Sequence, residues 1–233
     1  MTEGNFTNRA PNYDREAEWI LSPAFIDPLV PAVMGNGKML DVCAGTGVVA
    51  EYAWKAGWQP TALDSNEAML GGVEDHIRRV RGDAHDMPFD DGSFSLVVCR
   101  QGLQYLDPPR AIGEMLRVSA DQVRLLHGFV DTGLIPLWSH LFALSGRPGR
   151  DFFSDEILSR AVADNHPARW EQRFLRGRVW FAKKPEYRQA VEEFLRRNPA
   201  FVENHRVRER EDGFYYDLKW VLHIIHKHPG GIP

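Results

Sequence analysis

An α/β fold with a mostly parallel sheet is predicted from three observations on this 233-residue sequence. Five short strand-like segments alternate with helical segments between residues 38 and 130, which is typical of a parallel sheet flanked by helices. The segment 94–99 is apolar apart from Ser95, as expected of a strand covered on both faces. Polar residues end several strands, at 41–47, Asp64, Asp83 and 99–101, and the carboxyl ends of parallel strands meet at one edge of a sheet.

Local signals position the elements of the first half. A first helix is expected where apolar residues recur on one side, and the three prolines at 23, 28 and 31 should break the chain after it. Asp64, Ser65 and Asn66 form an N-cap cluster, which starts a helix at residue 67. Pro108 and Pro109 suit the first turn of another helix. The predicted strands are 38–42, 61–63, 77–81, 94–99 and 123–130, and the predicted helices are 14–25, 48–56, 67–75 and 107–118.

The second half has a different character. Residues 134–198 are helical in tendency and rich in aromatic side chains. Residues 200–226 are predicted to form a long antiparallel hairpin, because Asp212 and Gly213 give a strong turn signal between two extended runs.

Composition excludes several functional classes. The net charge of -4 gives no strongly basic face, so nucleic acid is not an expected partner. No run of about 18 apolar residues is present, so no membrane association is expected. The two cysteines form no disulfide framework, and no signal-peptide pattern opens the chain, so a cytoplasmic protein is expected.

The segment 39–50 holds the pattern around which the rest is organised. It reads as a strand, a turn with Gly45 and Gly47, and the start of a helix. Glycine allows a left-handed backbone and close approach of a ligand, and the N–H groups at a helix start attract negative charge. The spacing from Gly45 to Ala50, with Asp64 following 19 residues after Gly45, also fits a dinucleotide-binding turn. The turn alone leaves an NAD site and another adenosyl cofactor equally open.

Three segments, residues 40–47, 82–94 and 96–106, resemble motifs of the class I S-adenosylmethionine-dependent methyltransferases, in particular of their UbiE-like (type 11) branch. Residues 40–47, Leu-Asp-Val-Cys-Ala-Gly-Thr-Gly, resemble the first motif of that family. Residues 82–94, with Gly-Asp-Ala and Met-Pro-Phe, resemble the stretch after its third strand, and residues 96–106 resemble its fourth motif. Three differences from the family pattern are Cys43, where a glycine is usual, Ser119-Ala120-Asp121-Gln122 in place of the usual turn before the fifth strand, and Arg100.

The resemblance implies a cofactor, S-adenosyl-L-methionine, with S-adenosyl-L-homocysteine as the product. It assigns Asp41 to ordering the turn, Asp64 to the ribose hydroxyls and Asp83 to the adenine amino group. Arg100 and Gln101 fall where family members contact the methionine part, although a small polar residue is usual at Arg100. The predicted cofactor-binding residues are Tyr13, Asp41, Gly45, Thr46, Gly47, Asp64, Ser65, Asp83, Ala84, Arg100 and Gln101.

The resemblance also implies an enzyme that methylates an oxygen, nitrogen or carbon atom of a small molecule. His127 and His140 are the candidate catalytic residues, because a histidine near the crevice could remove a proton near neutral pH. Two alternatives stay open: a protein that binds the cofactor without transferring the methyl group, such as a cyclase, and an NAD-dependent oxidoreductase. No metal-binding spacing is present, so no metal is expected.

The expected architecture is a Rossmann-like, mostly parallel, seven-stranded sheet with an antiparallel C-terminal hairpin and a helical lid insertion. A single domain is expected, as a monomer or homodimer. Its parts are N-terminal cap helices (1–35), a cofactor-binding core (36–133), a helical substrate lid (134–199) and a C-terminal β-hairpin (200–228).

Overall fold

Strands of one sheet and the helices around it make up the part of the chain that this computed structural model describes, residues 22–33, 37–128, 155–182, 185–210 and 213–228. The strands are β1 (Lys38–Val42), β2 (Gln59–Asp64), β3 (Arg78–Arg81), β4 (Phe94–Arg100), β5 (Ser119–Gly128), β6 (Arg169–Ala182), β7 (Arg208–Arg210) and β8 (Gly213–His226). The α-helices are α1 (Pro23–Leu29), α2 (Val48–Lys55), α3 (Glu67–Leu70), α4 (Pro108–Val118), α5 (Asp155–Asp164), α6 (Pro185–Arg197) and α7 (Pro199–Asn204).

The order of the strands creates a crevice at one edge of the sheet. Seven strands follow the order β3-β2-β1-β4-β5-β8-β6, and the short β7 pairs with β8. The first five strands are parallel, whereas β8 is antiparallel to β5, β6 and β7. The chain leaves β1 towards β2 and later returns to the other side of β1 as β4. Such a reversal opens a ligand crevice beyond the carboxyl ends of the two strands.

Apolar side chains bury both faces of the sheet. Leu40 and Val42 of β1 point to one face, where they join a cluster with residues of α4 and α5. Met39 points to the other face and packs with residues of α1 and α2. This alternation is the period-two pattern of a strand with two covered faces. The sheet edge that carries the crevice is therefore supported from both sides.

The prediction of a mostly parallel, Rossmann-like sheet is confirmed, and most of its strands lie where the sequence indicates. Strand β1 has the predicted bounds, and β4 extends one residue beyond its predicted end. Strand β2 is longer than predicted because its ends pair with β1 and β3. The last two residues predicted for β5, 129 and 130, lie outside the described residues.

Two helix predictions in the first half are wrong in extent. Pro23 and Pro28 were expected to break the chain, yet both lie in helix α1. Pro23 is at the start of the helix, where its missing N–H costs nothing, and Pro28 is near the end. Helix α3 stops at Leu70 rather than at residue 75, because Gly71 and Gly72 follow and favour a turn.

The helical prediction for 134–198 is wrong over residues 169–182, which form β6. All fourteen residues of β6 pair with β8, from Arg169 opposite His226 to Ala182 opposite Gly213. The hydrogen bonds come from β8, which follows β6 only after two helices and β7, so local sequence signals do not reveal them. Helices α5 and α6 on either side of β6 do agree with the prediction.

The predicted C-terminal hairpin is present in a shorter form. Strands β7 and β8 pair across residues 211–212, although Asp212 itself lies outside the described residues. The first part of the predicted extended run is instead helix α7. The division into cap, core, lid and hairpin segments stays a prediction. No helix in the described ranges is long and apolar enough to span a membrane.

Candidate functional site

The turn after β1 is strongly curved and is tied to the next strand. Cys43, Gly45 and Gly47 have positive φ angles of 57°, 58° and 80°. The N–H of Ala44 donates to the carbonyl oxygen of Leu63 in β2 at 3.0 Å. A left-handed backbone costs a non-glycine residue about 1–2 kcal/mol, so Cys43 is strained where the family usually has glycine. The hydrogen bond to Leu63 therefore fixes the turn against the neighbouring strand.

Close packing around the turn explains two of the glycines. A Cβ atom added at Gly47 would lie 2.8 Å from Cγ2 of Val73. A Cβ atom added at Gly102, in the loop after β4, would lie 2.6 Å from the Cβ atom of Cys43. The loop after β4 therefore touches the turn after β1, and the two form one wall of the crevice.

Asp64, at the end of β2, fixes the turn through both carboxylate oxygens. Its Oδ2 accepts the N–H of Gly45 at 2.8 Å, and its Oδ1 accepts the N–H of Asn66 at 2.9 Å. Asn66 in turn caps helix α3 by accepting the N–H of Met69. Hydrogen bonds to an ionised acceptor are short and about twice as strong as neutral ones. Asp64 thus sets the shape of the turn as well as offering a carboxylate to the crevice.

Asp41, the last residue but one of β1, is a buried acid beneath the turn. Its side chain is 1% exposed, and its Oδ2 accepts the N–H of Ala50 in the first turn of α2 at 3.1 Å. Burial raises the pKa of Asp41 from 3.8 to about 7, while the charge of Arg100 and the Ala50 N–H act in the opposite direction. A cationic group entering the crevice would favour the ionised form of this carboxyl.

Asp83 lies two residues beyond the end of β3, the strand that pairs with β2, and its carboxylate contacts His85. The Oδ1 atom of Asp83 accepts the backbone N–H of His85 at 2.9 Å and lies 2.7 Å from its ring Nδ1. First the backbone N–H and then the ring of His85 hold the pKa of Asp83 below its ordinary value. The carbonyl of Asp64 accepts the N–H of Gly82 at 3.1 Å, which ties the two acidic positions together.

The ends of β4 and β5 close the other side of the crevice. Arg100 pairs with Leu126, and the N–H of Gln101 donates to the carbonyl of Leu126 at 2.9 Å. Gln101 has a φ of 57°, so the chain turns sharply at the end of β4. His127 follows Leu126, is half-buried, and stacks on His223 with ring centroids 5.2 Å apart.

The predicted site residues thus converge on one edge wherever the structure describes them. Thr46 is buried within the turn, Ser65 is exposed beside Asp64, and Ala84 is buried beside Asp83. Tyr13 and His140 lie outside the described residues. The roles assigned to these side chains stay predictions. No group of three potential metal-ligating side chains occurs within the described ranges.

His85 is a residue of this edge that the sequence interpretation missed. Its position two residues after Asp83 was a usable signal, because short side chains such as Asp often accept the N–H two residues on. Its ring Nε2 also lies 2.9 Å from the backbone nitrogen of Asp107, and this contact depends on the fold and has no signal in the local sequence.

Comparisons with known proteins agree with this geometry. Residues 40–126 match the family described as "Methyltransferase domain". The demethylmenaquinone methyltransferase of Paenarthrobacter aurescens is 35% identical over 150 residues, which are 57% of this chain and 59% of that protein. The ubiquinone/menaquinone biosynthesis C-methyltransferase UbiE of Idiomarina loihiensis is 32% identical over 102 residues, 38% of this chain and 41% of that protein. The matched segments therefore span about two-fifths to three-fifths of these relatives' lengths.

A solved structure extends the likeness to most of the chain. Geranyl diphosphate methyltransferase, in complex with SAM, matches with a TM-score of 0.59 at 16% identity, covering 96% of this chain and 91% of the other. At that identity the likeness shows a shared fold. Residues 40–126 therefore match a methyltransferase-domain family and are similar to segments of demethylmenaquinone and UbiE methyltransferases, and the chain shares the fold of a solved methyltransferase.

Proposed function

We propose that this protein binds S-adenosylmethionine at the crevice and transfers its methyl group to a small-molecule acceptor. The observation that carries the proposal is the convergence of the strained turn 43–47, Asp64 and Asp83 at the carboxyl ends of three adjacent strands. These ends offer two carboxylates to one ligand, beside a glycine turn whose N–H groups at residues 44, 45 and 47 bond within the protein. The matched methyltransferase domain and the shared fold support the same proposal.

The residues of the crevice fit an adenosyl cofactor. Each oxygen of Asp64 accepts one backbone N–H and keeps a lone pair that can accept a ribose hydroxyl. Asp83 can accept the amino group of adenine, next to the backbone of Ala84. Arg100 and Gln101, at the end of β4, are suited to the carboxylate and amino groups of the methionine part. The buried Asp41 favours a cationic ligand, because a nearby positive charge stabilises its ionised form.

The bound cofactor supplies a methyl carbon that is activated by its positively charged sulfur. The chain then has to bind both reactants in line, orient them and exclude water, which lowers the barrier without any covalent intermediate on the protein. The rigid turn, which Asp64 and Leu63 fix through two backbone N–H bonds, provides that orientation on the cofactor side.

His127 is our candidate for the residue that takes the proton from the acceptor. It lies in β5 next to Leu126, whose carbonyl accepts the N–H of Gln101, and its ring stacks on that of His223. It is half-buried at the end of β5. The imidazole ring of histidine in its neutral form can accept a proton. His140 is the second candidate.

The acceptor that we propose is planar and apolar, of the quinone or natural-product type. Both curated relatives carry quinone-biosynthesis names. The sequence between residues 134 and 187 is rich in aromatic side chains, a composition typical of apolar small-molecule sites. We further propose a cytoplasmic monomer or homodimer that acts without nucleic acid, which the net charge of -4 supports.

Calorimetry with S-adenosylhomocysteine tests the cofactor site. We expect binding by the natural chain and a loss of at least about tenfold for Asp64→Asn, because asparagine offers one acceptor oxygen instead of two. Asp75→Asn changes a fully exposed acid and serves as the matched control, with unchanged affinity. Thermal melts verify that each variant is folded.

Transfer of a labelled methyl group to a demethylated quinol or a similar aromatic acceptor tests the reaction. Labelled product that depends on Asp64 supports the proposal. Tight binding without transfer to any acceptor would favour a cofactor-binding protein or a cyclase. Stabilisation by NADH and not by S-adenosylhomocysteine would overturn the cofactor assignment in favour of an oxidoreductase.

A further inference from the structure

His85 makes three hydrogen bonds that join two sides of the crevice. Its backbone N–H and its ring Nδ1 both contact Oδ1 of Asp83, at 2.9 and 2.7 Å. Its ring Nε2 lies 2.9 Å from the backbone nitrogen of Asp107, the residue that precedes helix α4. The side chain of His85 is 18% exposed, whereas that of Asp83 is 63% exposed. The histidine is therefore packed behind the carboxylate, and the carboxylate faces outwards.

The contacts determine which ring nitrogen carries the proton. A backbone N–H can only donate, so Nε2 of His85 must accept the bond from Asp107. In a neutral imidazole the other nitrogen then carries the proton, and Nδ1–H donates to Asp83. Both bonds from His85 end on Oδ1, which fixes the plane of the carboxylate. A ligand can then reach Oδ2.

We propose that His85 is a positioning residue that directs Asp83 towards the exocyclic amino group of adenine and so gives the site its preference for adenine. This inference rests on the proposed function, since it concerns the same cofactor. A freely rotating carboxylate would present its oxygens in several orientations. The clamped one presents a single acceptor oxygen in a fixed place, and a fixed acceptor distinguishes an amino group from a carbonyl oxygen at the same position of the base.

The clamp also connects the adenine end of the crevice to the loop after β4. Asp107 is the last residue of the loop 101–107, which follows β4. Gly102 of the same loop packs against Cys43 in the turn after β1. A purely structural role for His85 would act through this second bond, by holding the start of α4. The two roles use different ring atoms, so different substitutions separate them.

The test compares two ligands, S-adenosylhomocysteine and S-inosylhomocysteine, in which a carbonyl oxygen replaces the adenine amino group. Calorimetry gives the ratio of their affinities for the natural chain and for variants at residue 85. His85→Asn keeps a donor close to the place of Nδ1 but cannot reach Asp107. His85→Gln extends towards Asp107 but removes the donor beside Asp83. His76→Ala changes an exposed histidine that contacts Glu51 and serves as the control.

We expect the natural chain, His85→Asn and His76→Ala to prefer the adenine ligand by about tenfold or more, as one charge-assisted hydrogen bond allows. In His85→Gln and Asp83→Asn the preference should fall by about that factor. Adding His85→Gln to Asp83→Asn should cause no further loss, because both changes remove the same bond. Long-range nitrogen NMR should find the His85 proton on Nδ1.

An unchanged ratio of the two affinities in His85→Gln would overturn the inference. If His85→Asn then lost the preference for adenine while His85→Gln kept it, the effect would belong to the contact with Asp107. Failure of the natural chain to bind S-adenosylhomocysteine would remove the proposed function itself, and this inference with it. The two failures are distinguishable because only the first leaves binding of the adenosyl ligand intact.

Discussion

Replacing Asp41 with asparagine should stabilise the fold at neutral pH while weakening the binding of a cationic cofactor. The acid is 1% exposed, and burial raises its pKa from 3.8 to about 7. Because the folded state holds the proton of Asp41 more tightly than the unfolded state, the contribution of this proton to stability is complete below about pH 4. It is lost as the pH rises towards 7.

The size of the effect follows from the two pKa values. Each pH unit between them changes the free energy of unfolding by about 1.4 kcal/mol, so the full range corresponds to about 4 kcal/mol. Asparagine is nearly the same size and can still accept the N–H of Ala50, but it loses the attraction of Arg100. We therefore expect Asp41→Asn to be about 2 kcal/mol more stable than the natural chain at pH 8.

Urea denaturation followed by tryptophan fluorescence, from pH 5.5 to 8.5, measures the prediction. The free energy of unfolding of the natural chain should fall with pH relative to that of Asp41→Asn, with the difference levelling off above pH 7. Asp75→Asn, at a fully exposed acid, should run parallel to the natural chain. Parallel curves for Asp41→Asn, or a variant less stable at pH 8, would show that the carboxyl is not held protonated by burial.

Two further predictions concern packing and acid stability. Gly102→Ala should lower the free energy of unfolding by about 1–3 kcal/mol, because the new Cβ would lie 2.6 Å from that of Cys43. Gly128→Ala, with its nearest contact at 3.5 Å, should lose clearly less in the same urea titration. Burial lowers the pKa of His223 from 6.5 to about 4, so the stability it contributes is present above pH 6.5 and is lost as the pH falls towards 4. His223→Phe should flatten this acid-side loss even though Trp170 loses its hydrogen-bond acceptor, and an unchanged slope between pH 4.5 and 7 would contradict the assignment.

The sequence predicted the first five strands well because each carries its own signal. A central strand such as β4 is mostly apolar, and the ends of β1 and β2 carry Asp41 and Asp64 beside turn residues. These signals are local, and the parallel arrangement follows from the alternation with helices. The position of the crevice then follows from the strand order, without any side-chain detail.

Strand β6 shows why the second half could not be predicted in the same way. Its fourteen residues are mixed in charge and size, and their hydrogen-bond partners in β8 follow only after two helices and β7. The same limit applies to His85, whose backbone contact with Asp83 is local but whose ring contact with Asp107 spans 22 residues. Contacts of this kind become visible only when the strands are assembled.

The energetics of the crevice argue for a ligand more strongly than its motifs do. The edge concentrates features that cost stability: a buried carboxyl at Asp41 and left-handed backbones at Cys43 and Gln101. Strained and desolvated groups persist where the surrounding structure compels them, and they cluster at functional sites. Binding of a cation above Asp41 would relieve part of that cost by favouring the ionised form. If Asp41→Asn gained stability and yet bound S-adenosylmethionine as tightly as the natural chain, the buried charge would have no part in binding the methionine end.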